Sequence, residues 1–400
     1  MTAEGREEYE PPAALWSLAF RPFFLAAALW AALALALWIE LFLTGGTLPS
    51  RFEPLAWHIH AMLFGFMPAA IAGFMLTAIA TWTGRPPIRG ARLFVLAVLW
   101  LFGRIVCLIS AAMPLWLSAV IDLAFPVALC VVAAHEIVAA RNWRNLMMPL
   151  PIGLLAVANL LAYLELAQFN VPAGLWWRLA TAAIIALITA IGGRIIPAFT
   201  RNWLVKHQSS SLPAAHGLMN TASLATLHAG LVGWALMPAF WPLGILLLIA
   251  ALLNLDMLAR WRGWATRSEP LLAILHVGYG WVVLGTALLG ASLLSNSVPE
   301  AAAIHAYTAG AIGTMILAVM SRVSLGHTGR PLEADRGTTT IYLAITLAAV
   351  IRVAAPFAHG FYLTLLEVSA LLWIASFLAF GWKYVPILTS PRIARASGSS

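Results

Sequence analysis

The side chains best suited to chemistry are histidines, ten in 400 residues, and several lie inside long apolar runs. An ionisable residue at membrane depth is costly, and its presence there marks a functional suspect. His60 and His305 each open the pattern H-A-x-x-x-G, and each is followed 23 residues later by T-G-R-P. Imidazoles at matched depth on two rigid helices suit the two axial positions of a haem iron. Gly65 after the first, and Gly310 and Gly313 after the second, leave room for a macrocycle. His60 and His305 are therefore read as ligands of one haem, with Arg104 and Arg352 as cations able to hold its propionates. A structural alternative stands beside this: Arg104 with Asp122, and Arg352 with Glu367, could be ion pairs between adjacent helices. His58 lies two residues from His60, about 200° round a helix. The two cannot chelate one ion without distortion, but they could serve sites on opposite sides of one helix. His58 with His228 or His359 is the expected second, catalytic site. His276 and His327 are candidates for a separate metal. No Walker motif, dinucleotide fingerprint, H-E-x-x-H or C-x-x-C-H occurs, so any haem is non-covalent and of b type, in one or two copies.

These residues need a scaffold, and the composition says which. The chain is 62% hydrophobic and 10% charged, where a soluble protein carries roughly a quarter charged residues. Nearly uncharged runs of about 20 residues, enough to span a bilayer as helices, recur throughout. The expected spans lie near 18–43, 55–80, 91–112, 115–139, 149–168, 174–192, 214–236, 241–259, 270–294, 300–322, 338–357 and 361–385. Tryptophans such as Trp57, Trp82, Trp116 and Trp203 sit near run ends, where an interfacial belt belongs. Counting Lys and Arg at alternate ends puts 19 of 23 on one side. The positive-inside rule makes that side cytoplasmic, together with both termini. His58, His60, His228 and His305 then fall in the periplasmic half, and His276 and His327 in the cytoplasmic half. A pI near 10.1 could suggest nucleic acid, but the segregation assigns the basic residues to a membrane surface, with lipid as the partner and no nucleic acid. Cys107 and Cys130 both lie in apolar runs, which indicates neither a disulfide framework nor a thiolate cluster. The chain divides into a polar segment, 1–17, a transmembrane domain, 18–385, and a tail, 386–400. The acidic opening residues precede a full-length span, so no cleaved signal peptide is expected.

The histidine pattern is part of a repeat. At an offset of 245, nine of 27 positions match between 60–86 and 305–331, and Asp122 falls on Glu367. An offset of 248 carries Arg104 onto Arg352 and Pro22 onto Pro270. The first four spans thus look duplicated as the last four, with a diverged unit between, giving repeats near 18–139, 149–259 and 270–385. Copies eight helices apart share one orientation in the membrane. A secondary transporter also suits twelve spans with a repeat, but transporter repeats are often inverted or of six helices.

On these residues the chain resembles the NnrS family. The resemblance rests on F-R-P-F-F at 20–24, W-H-I-H-A-M at 57–62, G-F-M-L-T-A at 73–78 and W-T-G-R at 82–85. It continues through G-G-R-I-I-P-A-F-T at 192–200, L-H-V-G-Y at 275–279, H-A-Y-T-A-G at 305–310 and L-G-H-T-G-R at 325–330. The family usually reads W-H-x-H-E-M, so Ala61 replaces a glutamate here. The resemblance implies an all-α inner-membrane protein with haem and copper, bound to nitric oxide and active against nitrosative stress. The architecture resembles that of haem-copper oxidases, with twelve helices in three four-helix arcs. Reduction of nitric oxide, with electrons from an unidentified donor, is the leading expectation. A non-enzymatic haem or copper sensor or binder is the alternative, and a transporter the third. The sixth span carries no histidine and no His-His pair occurs, so the usual three-histidine copper site of the oxidases has no counterpart.

Overall fold

A computed structural model describes residues 13–214 and 217–393. Most of the polar opening segment, His216 and the end of the tail lie outside the described residues. Twelve long helices make up the fold, and among the described residues there is no strand. They are α1 Phe20–Thr44, α2 Pro54–Thr83, α3 Ala91–Leu108, α4 Leu115–Ala139, α5 Pro149–Leu166 and α6 Leu175–Lys206. The remainder are α7 Leu218–Leu236, α8 Pro242–Arg260, α9 Pro270–Leu294, α10 Glu300–His327, α11 Arg336–Ala354 and α12 Tyr362–Thr389. Eleven are long and apolar enough to cross a membrane. The twelfth, α7, is diluted by Asn220, Thr221, Ser223, Thr226 and His228. The chain is an all-α multi-pass membrane protein.

Consecutive helices pack side by side, and α12 returns to α1 to close the ring. Inside it α2, α6 and α10 meet one another. These three, four helices apart in sequence, are 83%, 61% and 72% buried, against 33–56% for the other apolar spans. The second helix of each expected four-helix unit is thus central. The repeat is visible in the backbone as well. Wide π-helical turns interrupt α2 at Ala61–Phe66 and α10 at Ala306–Ile312, immediately after His60 and His305. Such turns are frequent at functional sites. A widened turn loosens its carbonyls from the regular ladder, and here indoles take them up: Trp30 Nε1 donates to Ala61 O and Trp100 Nε1 to Gly65 O, each at 2.9 Å.

The T-G-R-P of each copy is a helix stop. Gly84 and Gly329 hold φ of +69° and +78°, a left-handed conformation that only glycine adopts without strain, and the proline that follows cannot extend the helix. Three helices outrun their hydropathy. α6 continues to Lys206 where a span ending at 192 was expected, α10 reaches His327 and α12 reaches Thr389. Charge at Arg194, Arg322 and Lys383 ends the apolar run, yet the helical hydrogen bonds continue where side chains are wet.

Two polar residues fasten the basic end of the bundle. Arg21, in the F-R-P-F-F stretch, is buried, and its Nη1 donates to the carbonyls of Leu388 and Ser390 at 2.8 and 2.6 Å, closing the end of α12. Arg21→Ala leaves those carbonyls without a charged donor, and is expected to cost about 1.5–3 kcal/mol in unfolding measured in detergent. Asp335 caps α11, accepting the Thr338 N–H at 2.9 Å and pairing with Lys383 of α12. Burial alone would raise its pKa, but Lys383 and the Thr338 groups hold the carboxyl below its ordinary value. A depressed folded pKa adds stability above the unfolded value of about 3.9, and that stability is lost as pH falls through the folded pKa. Asp335→Ala is therefore expected to cost about 1 kcal/mol at neutral pH. The gap from wild type narrows below about pH 4, which unfolding at two pH values checks.

Candidate functional site

His58 and His60 leave α2 on opposite sides, as their spacing requires, and enter two different environments. His60 is fully buried within α2–α5. Its Nε2 lies 2.8 Å from Asn159 Oδ1 and 3.2 Å from Asp122 Oδ2, and its Nδ1 lies 3.3 Å from Cys107 Sγ. Both partners of Nε2 are acceptors, so that nitrogen carries the proton, and the remaining lone pair on Nδ1 is met by the thiol. Asp122 also pairs with Arg104 and accepts from Asn159 Nδ2 at 2.9 Å and the Tyr163 hydroxyl at 3.3 Å. Phe52, Phe64 and Trp176 wall the imidazole in. With both ring nitrogens engaged, His60 has no lone pair to give an iron. The structure places His60 in this network and His305, the other expected haem ligand, among different neighbours. The ion-pair reading of Arg104 is the one the geometry supports: its guanidinium serves Asp122, not a propionate, although its Nε and Nη1 remain unbonded.

His305 lies elsewhere. Its Nδ1 donates to Ala301 O at 2.7 Å, which fixes the tautomer and leaves the lone pair on Nε2. A backbone carbonyl holding one ring nitrogen is the usual support of a metal-binding histidine. The neighbours of His305 are His58 and Arg352, and Arg352 acts electrostatically on both rings. His58 stacks on Trp38 of α1 at 4.2 Å between ring centroids, and its buried Nδ1 has no hydrogen-bond partner. Arg352, from α11, is bonded by Tyr362 and keeps a buried Nη1 unpartnered. Its expected ion pair with Glu367 is not formed among the described residues. Two imidazoles with uncommitted nitrogens and a guanidinium with a spare N–H therefore converge from α2, α10 and α11.

The other expected groupings do not assemble. His228 bonds Thr189 of α6 at 2.8 Å on α7, which packs between α6 and α8, away from His58. His359 is exposed in a short turn before α12. His276 bonds Thr200 at 2.9 Å, while His327 packs on Phe20 with Arg392 nearby, so the two share no site. Among the described residues no three His, Cys, Asp or Glu side chains cluster as a metal cage. The members of the His60 network that the sequence reading missed are Cys107, Asn159 and Tyr163. Asn159 and Tyr163 are four apart in an apolar run, hence on one helix face, and that spacing was the available signal. Ala61, where the family pattern has glutamate, is buried at the start of the π turn.

A ring of twelve membrane helices around three central ones, with histidines converging between α2 and α10, defines a polytopic membrane protein with an intramembrane imidazole site. The family model described as NnrS protein matches residues 14–392, and the chain belongs to the NnrS family. That membership suggests a nitric oxide-associated haem and copper membrane protein. No curated protein matches the chain.

Proposed function

We propose that this protein binds nitric oxide and reduces it in defence against nitrosative stress, with a b-type haem that His58 of α2 and His305 of α10 would hold and from which one of the two would give way to the gas. The observation that carries the reading is a pair of neighbouring imidazoles beside Arg352, each with a nitrogen outside any hydrogen bond and one with its tautomer fixed by Ala301 O. The residues present fit the group. His58 and His305 would offer it nitrogens from two helices, and the spare Nη1 of Arg352 would offer a donor for a propionate. When bound, ferrous haem supplies affinity for nitric oxide and a path for the two electrons that, with two protons, turn two nitric oxide molecules into nitrous oxide and water.

The chain's own part is positional. Trp38 orients the His58 ring, Ala301 orients the His305 ring, and the apolar walls keep bulk water out while admitting a small, weakly polar gas. A cavity of about 70 Å³ between α1, α2, α6 and α10, lined by Phe24, Met67, Ile71, Ile188 and Met315, offers such a gas a dry resting place. The bundle belongs in the bacterial cytoplasmic membrane with both termini inside, because the basic residues gather at one end. The test is a pyridine haemochrome spectrum of the purified protein, followed by mixing the reduced protein with nitric oxide. Absence of a Soret band after haem-replete expression overturns the haem reading. Release of nitrous oxide supports reduction, and a stable nitrosyl without turnover limits the protein to binding.

A further inference from the structure

The haem site leaves unused two of the motifs by which the family resemblance was traced, G-G-R-I-I-P-A-F-T and L-H-V-G-Y. They meet at the far end of the bundle from His58, where α6 outlasts the apolar layer and walls a cavity of about 540 Å³. Its polar lining is Arg144 from the turn after α4, Arg194 and Arg201 from α6, Asn220 from the first turn of α7, and Trp261 from the turn after α8. Among the described residues no carboxylate lines it, and none of the three arginines is in an ion pair. Trp261 is 1% exposed, its ring packed edge-on against Tyr279 at 4.6 Å, and its Nε1–H has no hydrogen-bond partner. A buried donor left unpaired costs about 1–3 kcal/mol. This one stands in the wall of a cavity whose other strong polar groups are donors too. Pro197 has no N–H for the carbonyl of Gly193, which lines the same space.

We propose that this cavity is a binding site for a phosphate-bearing anion, with the phosphate held by Arg144, Arg194, Arg201 and the Trp261 N–H. Guanidinium groups match phosphate oxygens in geometry as well as charge. Basic residues that only anchor a helix end would fan out towards headgroups, whereas these three, two from α6 and one from the turn after α4, line one cavity with a buried indole. The volume is that of a small-molecule pocket and exceeds one phosphate, so the phosphate is carried on a larger molecule. A lipid headgroup and a soluble phosphate ester share this chemistry.

The test uses the haem-loaded, delipidated protein in a neutral detergent. Its thermal unfolding is followed against inorganic phosphate in one arm and short-chain phosphatidylglycerol in the other, with chloride at matched ionic strength as control. A saturable rise in Tm with either probe, and not with chloride, is expected. Saturation by phosphate marks a soluble ester as the natural ligand, and saturation by phosphatidylglycerol alone marks a headgroup. The double variant R194Q/R201Q is expected to weaken binding at least about tenfold and Trp261→Phe several-fold, as loss of charge-assisted and buried hydrogen bonds does. Both arginines are exposed, so the Soret band and the ligand-free Tm should match wild type. No saturable shift in either arm, or binding unchanged in either variant, overturns the proposal.

Discussion

Purified His305→Ala protein is expected to lose its haem spectrum, with haem affinity down at least about tenfold, since even an outer partner of a metal ligand is worth 10–100-fold. His58→Ala should behave alike, because under the proposal each of the two rings would hold the haem. His60→Ala should keep the Soret band, as both nitrogens of that ring already serve Asn159, Asp122 and Cys107. The three variants together separate the pairing of His58 with His305 from the pairing of His60 with His305. Added imidazole should restore the spectrum of His305→Ala if the bundle is correctly folded, which distinguishes a missing ligand from a misfolded bundle. A wild-type Soret band in His305→Ala at full occupancy would sink the assignment, and loss of haem in His60→Ala alone would restore the older pairing.

Much of the fold is legible in the sequence, and the part of the site that is not has a geometric reason. Hydropathy and charge segregation give twelve helices, and the 245-residue offset finds the two copies whose π turns coincide. The spacing of His58 and His60 states that they face opposite ways. What it cannot state is which of them faces α10. Copies with a common orientation, both at the centre of the ring, are related by a rotation. Equivalent residues therefore look into equivalent but separate interhelical spaces. His60 looks at Arg104 and Asp122, and His305 looks at Arg352, the match of Arg104 by the sequence offset. Matched positions in a rotational repeat thus argue against a shared ligand, and the neighbour two residues away, a non-repeated His58, completes the second space. The same reasoning explains Arg352. Its copy Arg104 has a carboxylate at hand in Asp122, whereas Glu367 does not take up that role, and a histidine pair stands where the counter-charge would be.

The largest loss of stability is expected from Asp122→Ala. The carboxylate is fully buried and holds Arg104, Asn159, Tyr163 and His60 at once. Its removal strands a guanidinium that is 1% exposed and already has two unbonded nitrogens. Breaking one partner of a buried pair costs about 3–5 kcal/mol, most of it the uncompensated charge left behind. Replacing both partners with apolar residues of similar volume, Arg104→Met with Asp122→Leu, should therefore recover most of the loss, because the stranded charge goes too. Unfolding in detergent measures both, and an Asp122→Ala protein within about 1 kcal/mol of wild type would show that the pair is not paying the desolvation cost assigned to it.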